Sequence, residues 1–191
     1  MNKLATYTAN PSLQHYGALK RILWYLAGMK TLGITYRKAQ DDTGDDNLFH
    51  GYADAAYANA DDLKSMSSYV FLAAGGAITW KSRKQTIIAL SSMEAEYVAL
   101  SEAGHKASWL RNLYTELRFT QEHPTQIYSD NEGSIVLTHN PQFHQHSKHI
   151  TIHHHWVQDL VNNKILDIHN CHDLEQTADV LMKALPKPKH S

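Results

Sequence analysis

The sequence predicts an α/β fold, a mixed five-stranded sheet flanked by helices on both faces, with a short helical appendage at its N-terminal end. Three observations carry this. Strand-like and helix-like segments follow one another as three strands, a helix, a strand, two helices, a strand and a helix, an order that suits a mixed sheet rather than a bundle or a sandwich. Gly75-Gly76 separates two β-rich runs and marks a tight hairpin. The long segment 94–117 is rich in Ala, Leu and Glu, with Ser91 or Ser92 available as its cap.

Taken in order, residues 11–28 read as an amphipathic helix. Leu13, Tyr16, Leu19, Leu23 and Leu26 recur at three- and four-residue steps, and Pro11 suits a first turn. Gly28 and Gly33 break that pattern, and Gly33 to Tyr36 is a candidate short strand. The polar run from Lys38 to Asn47, with Asp-Asp-Thr-Gly-Asp-Asp at its centre, reads as a loop. It divides an appendage, 1–47, from the main domain, 48–186, and 187–191 is a frayed tail. The main domain opens with strands at Leu48–Asp54, Ser68–Ala74 and Ala77–Ser82. After the 94–117 helix come a strand at Thr125–Tyr128, helices at Asn131–Thr138 and Ile150–Asn162, a strand at Ile165–His169 and a last helix at Leu174–Leu185.

A chain of 191 residues, 42% hydrophobic, is long enough for one domain with a real core. No apolar run is long enough to cross a bilayer, and the start of the chain lacks the apolar centre of a signal peptide. Cys171 is the single cysteine, which excludes an internal disulfide and is compatible with a reducing compartment. A net charge of −1 is low for a free-standing nucleic-acid binder. Acids gathered around bound cations lose much of their charge, however, and fourteen histidines add positive charge below about pH 6.5.

Four acids stand out by setting. Asp54 and Asp130 end predicted strands, where ligand sites of α/β sheets gather. Glu96 lies at the start of the long helix, and Asp179 in the last one. Carboxylates are the ligands that hard divalent cations take, and phosphate chemistry uses such cations. Glu94 competes with Glu96; two residues apart on a helix they face about 200° from each other, so one of them points into the site. Asn131 either contacts substrate or caps the helix behind it. Lys81, Arg83 and Lys84, just after Trp80, either grip phosphates or form a solvated strand edge.

The ordered motifs resemble one family throughout. Gly51-Tyr-Ala-Asp54-Ala-Ala-Tyr-Ala58, Ile78-Thr-Trp-Lys-Ser-Arg-Lys-Gln85, Ala89-Leu-Ser-Ser-Met-Glu-Ala-Glu96-Tyr-Val-Ala-Leu, Tyr128-Ser-Asp130-Asn131, Lys148-His149-Ile150 and Ala178-Asp179-Val-Leu-Met-Lys183 are similar to the ribonuclease H region of copia-type (Pseudoviridae-like) retrotransposon Pol polyproteins. Residues 15–28 resemble the segment joining reverse transcriptase to ribonuclease H, and no Tyr-x-Asp-Asp polymerase motif is present. Ala56 and Tyr57 stand where the family usually has Asp and Trp.

The resemblance implies a ribonuclease H-like fold and an endonuclease that cuts the RNA strand of RNA–DNA hybrids during reverse transcription. It implies Asp54, Glu96, Asp130 and Asp179 as the catalytic, metal-holding acids, with Mg²⁺, or Mn²⁺ in its place, as cofactor. Two ions about 4 Å apart would serve the reaction. The reverse transcriptase domain of the parent polyprotein is the implied partner, no membrane is involved, and the implied location is the cytoplasm, in virus-like particles, or the nucleus. Two alternatives keep the fold without the chemistry: a silent nucleic-acid-binding module and a structural remnant.

A product-release histidine occurs before the last acid in some ribonucleases H; His172 fits that position and His169 is another option, although a solvated loop histidine is the favoured reading. The run His144, His146, His149, His153, His154 and His155 places His149 and His153 one helical turn apart, close enough to share a metal, but lacks Cys partners and regular ligand spacing.

Overall fold

In the computed structural model, residues 2–5, 7–37, 48–58, 62–133, 135, 148–172 and 175–182 are described. They form two compact units, Met1–Thr35 and Tyr36–Ser191. In the first, α1 (Asn2–Ala5) precedes α2 (Leu13–Gly28). Ser12 caps α2, which leaves Pro11 just outside the helix and not in its first turn: the Ser12 hydroxyl accepts from His15 N, and His15 Nδ1 accepts from Ser12 N in return. The expected border at residue 47 lies outside the described residues.

The second unit contains one sheet of β1 (His50–Ala56), β2 (Met66–Ala73), β3 (Gly76–Lys84), β4 (Thr125–Ser129) and β5 (Leu166–Asn170), in spatial order β3-β2-β1-β4-β5. The first three strands form antiparallel hairpins, and β4 and β5 join in parallel beside β1. Parallel neighbours need long crossovers, and α3 (Ser92–Glu116) and α4 (Lys148–Asn162) lie in them. Ser91 caps α3, and the Glu94 carboxylate accepts from Leu90 N, so the acid nearest the cap is used in closing the helix end. Gly33–Tyr36, read from sequence as a strand, has no ladder; Tyr36 OH donates to Ala77 O and Arg37 N to Ala74 O instead.

The β2–β3 turn is centred one residue earlier than the Gly-Gly pair suggests. Ala74 has φ 52° and Gly75 φ 74°. Two consecutive positive φ values are what a two-residue turn needs to match strand twist, so Ala74 takes a conformation that favours Gly or Asn.

A single core lies between the sheet and the two long helices. Phe49, Ala53, Tyr69, Phe71 and Ile127 from the sheet meet Leu100, Ala103, Ala107 and Leu110 of α3 and Val157 and Leu160 of α4. The opposite sheet face carries His50, Tyr52, Tyr128 and His169, whose rings contact one another at centroid distances of 5.1–6.0 Å. A 3₁₀ turn, Thr177–Leu181, replaces the expected last helix among the described residues and sits against β1 and β2. Arg111 of α3 ties down the approach to β4: its guanidinium donates to the carbonyls of Gln121 and His123 and to Thr125 Oγ1. Burial holds that guanidinium below its ordinary pKa.

Where α3 meets α4, His153 Nδ1 and Ser101 Oγ are 2.9 Å apart, and His105 stacks on Trp156. Burial, then the neighbouring His105, pushes the His153 pKa below its ordinary 6.5, opposed in part by Glu102. A histidine whose folded pKa is depressed binds fewer protons folded than unfolded. Its contribution is therefore complete above about pH 6.5 and is lost as pH falls from there through the lower, folded pKa. His153→Asn, which keeps an acceptor near Ser101 and cannot charge, is expected to flatten the decline in melting temperature between pH 7.5 and 5.5. Identical slopes for the two proteins would count against it.

Candidate metal centre

The register of the central strands brings the first two acids together. In the parallel pair β1–β4, Gly51 stands opposite Ile127 and Tyr52 opposite Tyr128. Two residues further on each chain are Asp54 and Asp130, at matching positions on the same face. The β1–β4 ladder ends at Tyr52, while β1 continues antiparallel to β2 as far as Ala56. Asp54 thus lies within its strand, not at its end as the sequence predicts, and Asp130 sits one residue beyond β4.

Glu96 enters from α3, on the second turn rather than the first. Glu94 through Ser101 are all buried, so the second turn of this helix is enclosed. Oxygens of Asp54, Glu96 and Asp130 lie within 4.8 Å of one another. Asp54 is 2% and Glu96 6% exposed, and Asp130 is half-buried. Between Glu94 and Glu96, the structure gives Glu94 to the helix cap and Glu96 to the acidic group.

Asp179 is not part of that three-residue group. It is 5% exposed, on the 3₁₀ turn. The turn is fastened beside Asp54: Gln176 Nε2 donates to Ala53 O, and Ser68 Oγ donates to Ala178 O, with Ser68 the β2 residue paired with Asp54.

Three carboxylates this close repel strongly. At an effective dielectric of about 20, each pair of unit charges 4.8 Å apart costs about 3–4 kcal/mol. A divalent cation removes that repulsion, and an all-oxygen, carboxylate-rich donor set fits Mg²⁺ or Mn²⁺ rather than a softer metal. The residues therefore fit the ion that the sequence implies.

The remaining sequence candidates are distributed as follows. Asn131 follows Asp130 directly; its carbonyl accepts from Ile135 N, as at the start of a helix, and its own N–H reaches Ser129 Oγ. Lys81 and Arg83 both pair with Glu102 of α3, Arg83 through two nitrogens at 2.8 and 3.0 Å, and Lys84 pairs with Asp62. All three stay partly exposed, so these ion pairs add little to stability. His172 is exposed ahead of the 3₁₀ turn, and His169 pairs with Asp167 on β5. In the histidine-rich run, His144 and His146 lie outside the described residues, as does the side chain of His149. Of the described ones, His153 lies beside Ser101 Oγ and His154 packs against the rings of Tyr97 and His155, and the described residues that converge on a possible ion are the three acids alone. No helix among the described residues is long and apolar enough to cross a membrane.

No family model matches the chain. Curated relatives do. It is 34% identical over 187 residues, 97% of its length, to the retrovirus-related Pol polyprotein from transposon TNT 1-94 of Nicotiana tabacum, of which it spans 14%. It is 36% identical over 188 residues, 98% of its length, to the corresponding polyprotein from transposon RE2 of Arabidopsis thaliana, of which it spans 13%. Over 108 residues, 56% of the chain, it is 42% identical to secreted RxLR effector protein 161 of Plasmopara viticola, covering 72% of that protein. Among solved structures, LC11-RNase H1, isolated from compost by metagenomics, superposes with a TM-score of 0.53 at 15% identity, over 71% of this chain and 92% of that one. RNase H1 from Halobacterium salinarum gives 0.50 at 16% identity, over 70% and 92%. At such identities these structures establish the fold.

Proposed function

We propose that the chain, 34% and 36% identical over nearly its whole length to segments of two plant transposon Pol polyproteins and sharing the fold of the ribonucleases H it superposes on, is a metal-dependent endonuclease cutting the RNA strand of RNA–DNA hybrids during reverse transcription. One observation carries the reading: Asp54, Glu96 and Asp130, drawn from a strand, a helix and a strand end far apart in sequence, meet within 4.8 Å. Burying like charges together is costly in a fold with no use for them.

Asp54, Glu96 and Asp130, with Asp179 beside them, are the residues to hold Mg²⁺, or Mn²⁺. Two such ions would supply Lewis acidity, activating water and neutralising the leaving 3′ oxygen. The chain's own contribution is positional. Buried Asp54 and Glu96 form a floor shielded from bulk water, where electrostatic interactions are stronger. Half-buried Asp130 is the most accessible of the three, and in this reading Asn131 beside it meets the scissile region. In this reading Lys81, Arg83 and Lys84, partly exposed on β3, exchange their carboxylate partners for phosphate oxygens, and 2′-hydroxyls would mark the RNA strand. His172, exposed and seven residues before Asp179 in the chain, would assist product release in this reading. The partner in this reading is the reverse transcriptase portion of the same polyprotein, and the setting is the cytoplasm or nucleus where the element is copied.

The test is incubation of the chain with labelled hybrid and Mg²⁺, beside Asp130→Asn. The wild type is expected to release shortened RNA, and the variant at least about 100-fold less. That factor is a lower bound, because residues merely supporting a metal ligand already cost 10–100-fold. Salt-sensitive binding of hybrid without cutting would identify a silent binding module instead, and neither binding nor cutting a structural remnant.

A further inference from the structure

We propose that two buried glutamines, Gln85 and Gln176, are positioning residues of the metal centre, each bracing an acid-bearing segment against the sheet; the inference rests on the nuclease reading above. Gln176 is 2% exposed and uses both ends of its amide. Its Nε2 donates to Ala53 O at 3.0 Å, and its Oε1 accepts from Ala178 N at 3.3 Å. Gln85 is 1% exposed. Its Nε2 donates to Ser67 Oγ at 2.8 Å and to Ala95 O at 2.9 Å, while its backbone N–H bonds Ser65 O.

The backbone groups chosen are what gives these bonds meaning. Ala53 precedes Asp54, Ala95 precedes Glu96, and Ala178 precedes Asp179. Three of the four acids therefore follow directly on a residue held by a glutamine side chain. Gln176 couples the 3₁₀ turn to β1 where the β1–β4 ladder has stopped, and Gln85 couples the first turns of α3 to β2. A buried amide is a poor choice for filling space, since its polar atoms lose water and an apolar side chain of similar volume does not. It suits a place where the direction of a neighbouring peptide must be fixed. Carboxylates that repel one another drift apart unless their backbones are held, and a metal centre requires its ligands within a few tenths of an ångström.

The experiment uses the whole chain and the near-isosteric variants Gln176→Met and Gln85→Met. Two readouts are taken against Mg²⁺ concentration: the rise in melting temperature without nucleic acid, and the rate of hybrid cleavage. Each variant is expected to need about 10-fold more Mg²⁺ for half-saturation in both, with KM for hybrid unchanged and the rate recovering at high Mg²⁺. Ser68→Ala, which removes only the bond to Ala178 O, is expected to move half-saturation in the same direction by less, and it stands in if a glutamine variant fails to fold. Variants that melt lower yet half-saturate at the wild-type Mg²⁺ concentration would overturn the inference and leave the nuclease reading intact. A wild type that neither responds to Mg²⁺ nor cuts would overturn both.

Discussion

Asp54→Asn is expected to abolish cleavage and, at the same time, to make the metal-free protein harder to melt. The two effects have one origin. Asp54 is 2% exposed and shares its surroundings with Glu96 and Asp130 within 4.8 Å, so without a cation it adds like-charge repulsion at that point. Removing one charge relieves two repulsive pairs and retains the shape of the side chain. The mutual repulsion at this spacing is about 3–4 kcal/mol for each pair, of which the surroundings offset a part, so a net gain of about 1 kcal/mol is the expectation. For a chain of this size that is about 2–4 °C in melting temperature. Added Mg²⁺ should stabilise the wild type by mass action and leave the variant almost unmoved. Cleavage should fall at least about 100-fold. Calorimetry in EDTA and in Mg²⁺ checks the first half and a hybrid-cutting assay the second. A variant that melts lower than wild type in EDTA would show that Asp54 is an ordinary stabilising carboxylate.

The second large effect is in the core directly beneath the site. A Cβ built on Gly51 would lie 2.5 Å from Phe71 Cε1 and 2.8 Å from Cδ1. Phe71 is fully buried, opposite Gly51 on β2 and packed edge-on to Phe49 and Tyr69. The glycine is therefore required by the ring, not by a turn. Gly51→Ala should cost about 1–3 kcal/mol through overpacking. Phe71→Ala should cost about 3–5 kcal/mol through lost burial and a cavity. In the double variant the new methyl enters the space the ring vacates, so the total should fall short of the sum by about 1 kcal/mol or more. Urea unfolding of the four proteins measures this coupling, and strict additivity would mean the two residues do not meet. Since Gly51 is three residues before Asp54 on the same strand, Gly51→Ala is also expected to raise the Mg²⁺ requirement for cutting.

The extent to which the site is legible in the sequence depends on the kind of signal each residue carries. Asp54 and Asp130 are visible because apolar runs lead into them, and Glu96 because it opens a helix with a clear cap. The limits of β1 are less visible: Ala55 and Ala56 carry neither alternation nor a turn signal, and only pairing with Ser67 and Met66 of β2 keeps them in the strand. The last helix reduces to a 3₁₀ turn among the described residues because its Ala, Val and Leu content suits a helix, whereas Gln176 and Ser68 hold it in a tighter form. Lys81 and Arg83 look like free phosphate ligands because Glu102, their partner, lies on another element. Gln85 and Gln176 are the hardest to find. An uncharged amide gives no periodicity, and only its place a few residues from an acid hints at a role. The pairing of Ser101 with His153 across two helices has no local trace at all.

The strand order also has a kinetic consequence. Strands β1 to β3 are consecutive hairpins, whereas β4 reaches β1 only after the chain has travelled out through α3 and back. Closing that excursion is the slow, entropically expensive step, and contacts between neighbours in sequence form sooner. Asp54 and Glu96 should thus be in place before Asp130 arrives, so the capacity to hold a cation is acquired last, as the second half of the sheet docks. Pulse-labelled amide exchange during refolding would show it as β2 and β3 protected ahead of β4 and β5; simultaneous protection would refute the sequence of events.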